Sequence, residues 1–153
     1  MPEVQRSWSP LGQPHTADAT VTRARTNVLG ALDFGEEKLI FSTHSHSIKE
    51  LDVIAFLDQL AAQCPANRWN ICVLDNASIH RYIDEDTRNR LFNAGLILYF
   101  IPPYSPELNL IEILWKHAKY HWREFETWTA KNLQISVQNL LNGFGNKFNI
   151  LFG

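Results

Sequence analysis

The stretch Trp69-Asn-Ile-Cys-Val-Leu-Asp75-Asn-Ala-Ser-Ile-His80 decides the fold, because an apolar run of strand length ends in an acidic residue and then breaks. Residues 69–74 read as a buried strand, and Leu96-Ile-Leu-Tyr-Phe-Ile101 reads as a second one. After the second run comes Pro102-Pro-Tyr-Ser-Pro-Glu-Leu-Asn-Leu-Ile-Glu112, so 36 residues separate Asp75 from Glu112. Asp75 falls at a strand end, and Glu112 lies one loop beyond the next strand. In open α/β sheets that edge collects ligands and chemistry, since rigid strands hold its side chains toward a crevice. Two carboxylates placed there point to a metal site.

Outward from this pair the pattern is mixed α/β, without internal repeats, low-complexity tracts or a clear linker. Residues 26–32 and 38–43 read as strands joined across Asp33-Phe-Gly35, and residues 4–8 offer a further short strand. A helix is predicted from Ser47, with Glu50 completing a capping box and Pro65 ending it. Its expected apolar stripe is Leu51, Ile54, Ala55, Leu57, Leu60 and Ala61. A second helix is predicted over residues 84–93, with Asp84, Glu85 and Asp86 at its positive end and Gly95 past its close. A third begins after Asn109 and runs to Arg123. The last, over residues 129–142, is expected to bury Leu133, Val137, Leu140, Leu141 and Phe144.

Composition fits one globular domain. At 153 residues, 45% hydrophobic and 12% aromatic, the chain can build a core and does not have a disordered composition. With 14 basic and 16 acidic residues the formal charge is −2, which is not that of a self-sufficient nucleic-acid-binding module. Cys64 and Cys72 form no Cys-x-x-Cys pair, which suits a reducing cytoplasm. No signal sequence is evident, and the longest apolar run is far too short to span a bilayer.

Each candidate residue has a plainer reading beside the chemical one. Asp75 before Asn76 can make an Asx turn where a strand ends. Glu112 stands three residues after Asn109, which is capping-box spacing. Lys116, Lys119 and Arg123 follow Glu112 by four, seven and eleven residues and share its face. That face is either a phosphate-binding strip or a solvated surface. Trp115, Ala118 and Trp122 read as core. His44 and His46 share a face of an extended segment and His117 and His121 are spaced i,i+4, yet the sequence shows no third zinc ligand for either pair.

The blocks Asp75-Asn-Ala-Ser-Ile-His80 and Pro102-Pro-Tyr-Ser-Pro-Glu-Leu-Asn-Leu-Ile-Glu112 resemble the second and third motifs of the DDE transposases, in particular the mariner-like branch that includes bacterial insertion-sequence enzymes. The likeness extends to Asn27-Val-Leu-Gly-Ala-Leu32, the hairpin segment Gly35-Glu-Glu-Lys-Leu-Ile40 and Leu114-Trp-Lys116. It departs at Leu110, where the family usually has a proline that presets the helix entry.

The resemblance implies an RNase H-like mixed sheet flanked by helices, in which Asp75 and Glu112 are catalytic metal ligands and Asn76 and His80 lie nearby. It implies cleavage of element ends and joining to target DNA with two Mg²⁺ or Mn²⁺ ions, about 3.5–4 Å apart in sites of this kind. The family's first carboxylate sits on an opening central strand, upstream of a stretch that Arg6-Ser-Trp8-Ser-Pro10-Leu-Gly12 resembles. That strand and its Asp are therefore expected to lie outside this chain, as are the family's N-terminal helix-turn-helix domains. Glu3, Asp18 and Asp33 are poor substitutes by their surroundings. The chain alone is then expected to be inactive and poorly stable. Expected partners are DNA, the missing N-terminal segment or a full-length transposase, a homo-oligomer when complete, and no membrane. The competing reading is a non-catalytic remnant or regulatory fragment that binds DNA or transposase.

Overall fold

The computed structural model describes residues 25–65, 67–77, 83–103, 105–121 and 130–147. The chain enters with β1 (Asn27–Asp33) and β2 (Lys38–His44), continues through α1 (Glu50–Gln63), β3 (Asn70–Leu74), α2 (Glu85–Asn93) and β4 (Leu96–Phe100), and ends with α3 (Ile111–His121) and α4 (Ala130–Leu141). This is the mixed α/β arrangement expected of an RNase H-like fold. Among the described residues the strands form two separate pairs, β1 antiparallel to β2 and β3 parallel to β4. The predicted strand over residues 4–8 lies outside the described residues.

The hairpin is closed by its own sequence. The Asp33 carboxylate accepts the amides of Gly35 at 3.0 Å and Glu36 at 3.1 Å, which is the local bonding that favours Asp at such turns. Glu37 completes the turn at φ 49°, a left-handed conformation that is strained for a side-chain-bearing residue.

Alternation along the hairpin makes it the middle of three layers. Leu29, Ala31 and Ile40 pack on the α1 side, against Val53, Phe56, Leu57, Leu60 and Ala61, together with Ile83, Leu91 and Leu96. Val28, Leu39 and Phe41 pack on the other side, with Trp115, Ala118, Leu133, Val137, Leu140 and Leu141 of α3 and α4. Among the described residues Leu57, Leu91, Leu114 and Leu141 are the largest fully buried side chains, each worth about 1.5–3 kcal/mol relative to exposure. Thr43 adds a polar tie, its hydroxyl accepting Gln134 Nε2 at 3.1 Å and Gln138 Nε2 at 2.9 Å from consecutive turns of α4.

Three expectations change. Helix α1 starts at Glu50 instead of Ser47, because Asp52, three residues after Lys49, accepts the Lys49 amide at 2.8 Å. Its buried stripe is Val53, Phe56, Leu57, Leu60 and Ala61, while Leu51 and Ala55 face solvent. The observed spacing of three, one, three and one keeps a narrow helical stripe, which Leu51 and Ala55 would have widened past the contact area. Strand β3 is buried on one face only. Cys72 and Leu74 pack inward, whereas Ile71 and Val73 are exposed beside Tyr99 of β4.

The remaining helices keep close to the predicted limits. Asp84 caps α2 by accepting the Thr87 amide at 2.7 Å, and Gly95 follows at φ 85°. Helix α4 buries Val137 and Leu141, and Phe144 lies buried just beyond it.

Candidate functional site

Because β3 and β4 are parallel neighbours, their C-terminal ends emerge at one edge of the sheet. Asp75 directly follows β3, and its Oδ1 accepts the Ala77 amide at 3.0 Å. The Asx turn offered as the plainer reading is therefore formed. It does not compete with metal binding, since a carboxylate has two oxygens and about four lone-pair sites.

The same edge is closed by two further bonds. Ile101 N donates to Leu74 O at 3.0 Å, and the Asn76 side-chain amide donates back to Ile101 O. The loop after β3 is thereby fastened to the loop after β4, the one that begins Pro102-Pro103. Asn76 is thus a structural clasp for the half-buried Asp75 beside it.

From Ile101 the chain passes through a single 3₁₀ turn, Pro106–Leu108, to α3. The Glu112 amide bonds Asn109 O at 2.9 Å, so the helix begins with a backbone turn where the family usually has proline at Leu110. Glu112 is exposed in the first turn of α3, where a negative charge favours the helix. Lys116 and Lys119 are exposed on the same helix. His80 and Arg123, with Glu3, Asp18 and Trp122, lie outside the described residues.

The seating of α3, and with it the place of Glu112, is set by Gly30 of β1. A Cβ at that position would stand 2.7 Å from both Cη2 and Cζ2 of Trp115 and 3.3 Å from Ile111 Cδ1. Only a bare backbone lets the indole lie this close to the sheet. Trp115 is one turn after Glu112, so the glycine fixes the height of the helix that carries the carboxylate.

Asp33, expected to be a poor substitute for a third carboxylate, holds the hairpin turn through its Oδ1. Among the described residues, one set of three His, Cys, Asp or Glu side chains converges closely enough to hold an ion: His44, His46 and Asp52, with donor atoms all within 4.8 Å of one another. Among the described residues Asp75 and Glu112 belong to no such set. The sequence pointed to His44 and His46 but not to Asp52. Its signal was the first-turn position that Asp52 takes in α1, six residues after His46.

A mixed α/β frame carries Asp75 at the end of a parallel strand and Glu112 on the helix after its neighbour, in a class of folds whose ligands gather at that sheet edge. The particular family is shown by comparison: the DDE superfamily endonucleases match residues 1–134, and the chain belongs to that family. Membership places it with the transposase-type nuclease catalytic domains, a class that acts on DNA and typically uses divalent metals. No curated protein matches the chain. Among the described residues no helix is long and apolar enough to cross a membrane.

Proposed function

We propose that Asp75 and Glu112 are two of three carboxylates in a mariner-like transposase centre that nicks element ends and joins them to target DNA. The observation that carries this reading is the clasp between the two motif loops: Asn76 bonds Ile101 O, and Ile101 N bonds Leu74 O, so the loop of the first motif is tied to the strand leading into the second. In this reading Lys116 and Lys119 meet DNA phosphates, as does Arg123, with affinity that is mostly independent of sequence.

The donor chemistry fits the family's ion. Both side chains offer hard anionic oxygens, which suit Mg²⁺ or Mn²⁺ better than nitrogen or sulfur donors do. When bound, such ions stabilise the charge that builds on the attacking and leaving oxygens of a phosphodiester. The protein's part is to hold Asp75 by the Asx turn and the clasp, and to hold Glu112 by the Trp115 wedge. The third carboxylate is proposed to come from an N-terminal segment or another transposase copy, with a homo-oligomer as the working assembly.

The test is Mg²⁺- or Mn²⁺-dependent nicking of element-end DNA by this chain, alone and supplemented with a segment bearing the family's first motif. Asp75→Ala and Glu112→Ala serve as controls. Activity that needs the supplement and is lost in both controls supports the proposal. Activity unchanged in either control refutes the assignment. Absence of activity in every mixture, with DNA still bound, favours the regulatory fragment.

A further inference from the structure

We propose that His44, His46 and Asp52 form a second metal site, for a divalent cation of zinc's class, at the corner where β2 passes into α1. It involves none of the residues assigned above to the nuclease centre. His46 Nε2 lies 3.2 Å from Asp52 Oδ1 and 3.1 Å from Oδ2, and His44 Nδ1 lies 3.8 Å from Asp52 Oδ1. Zinc bonds of about 2.0–2.2 Å to nitrogen and carboxylate oxygen give a tetrahedral ligand-to-ligand edge of about 3.4 Å. The observed separations straddle that edge, and the three donor atoms all lie within 4.8 Å of one another.

The corner is held from outside the cluster. His44 Nε2 is 2.9 Å from Ser42 Oγ. With Nε2 donating to that hydroxyl, Nδ1 keeps its lone pair and faces Asp52, the outer-shell arrangement that orients metal-binding imidazoles. Asn27, paired with His44 across the hairpin, donates to His46 O at 2.8 Å and fixes the backbone between the two histidines. Asp52 is held by the Lys49 amide, at 2.8 Å from Oδ2. The two rings meet edge to face with centroids 5.2 Å apart.

Two imidazoles with one carboxylate select zinc-class ions over magnesium. Three protein ligands leave a fourth position for water. Bound there, the ion joins the end of β2 to the first turn of α1, so the hairpin is fastened to the helix that supplies most of the core on that side.

The experiment is a calorimetric titration of the 153-residue chain with ZnCl₂ in excess Mg²⁺, with Co²⁺ absorption as a second readout. One saturable site is expected that raises the melting temperature. His46→Ala, at an exposed position that leaves the core intact, is expected to weaken it about tenfold or more, as is His44→Ala, and Ser42→Ala by about tenfold. Imidazole-to-cobalt absorption is expected to fall in each histidine variant. Absence of saturable binding overturns the proposal. So does unchanged affinity in both histidine variants, which would place zinc on other histidines. Neither result bears on nicking by Asp75 and Glu112, so failure here leaves the nuclease reading standing.

Discussion

The side-chain amide of Asn76 donates to the backbone carbonyl of Ile101, fastening the loop after β3 to the first residue after β4. Ile101 is buried, and its own amide is already bonded to Leu74 O. One asparagine thus holds both motif-bearing loops at a single point.

Replacing Asn76 with Ala leaves that carbonyl without its partner. The expected destabilisation is about 1–3 kcal/mol, the range for a buried polar group left unpaired. In complemented nicking assays Asn76→Ala is also expected to lose activity, although its side chain ligates nothing in the proposed centre. Urea unfolding with the same variant separates the two effects.

The contact between Gly30 and Trp115 predicts a compensating pair. Gly30→Ala forces the indole outward and is expected to destabilise the fold by roughly 1–3 kcal/mol, as overpacked cores do. Trp115→Leu removes the atoms that clash, so the double variant should lose less than the sum of the singles. Additive losses in urea would count against this seating of α3.

Acid should weaken the helix caps. Asp84 is held below the usual carboxylate range, first by hydrogen bonds from the Thr87 side chain and then by its amide. Asp52 is lowered chiefly by the Lys49 amide, with His46 adding to it and partial burial opposing it. Groups with depressed values stabilise the fold above their unfolded value, near 3.8, and lose that contribution as pH falls through the folded one. Asp84→Ala should therefore lower the melting temperature by a few degrees at neutral pH, and the difference from the parent should narrow below about pH 4.

Alkali acts through Cys72. Burial pushes its thiol up to about 11, with the nearby Cys64 adding to the rise. A raised thiol stabilises the folded state below the unfolded value near 9.0 and loses that contribution as pH rises toward 11. At pH 8 the folded chain should be alkylated slowly at Cys72, and unfolding in urea should release it. Mass spectrometry of the alkylated peptides gives the check.

Much of the architecture was legible in the sequence because its signals are local. The Asp33 turn, the Asp84 cap and Gly95 announce themselves through neighbouring residues, and the boundaries of β4, α2 and α4 followed within a residue or two. The motif blocks around Asp75 and Glu112 were equally legible, and family membership agrees with them. The start of α1 was not. Ser47 and Glu50 match a capping box as well as Lys49 and Asp52 match the observed start, and the choice fell to Asp52, whose carboxylate meets both the Lys49 amide and His46.

By itself the sequence determined the order of strands and helices, their approximate limits and the acidic blocks that follow β3 and β4, because periodicity, caps and turns act over a few residues. Only the tertiary structure decided which face each element buries. Val53 and Phe56 point into the core while Leu51 and Ala55 do not, and β3 keeps Ile71 and Val73 in solvent. The tertiary structure also brought Trp115 onto Gly30 and Asp52 between His44 and His46. Such contacts depend on where whole elements dock, and docking is fixed by packing volume and shape across the layers, which no short window of residues contains.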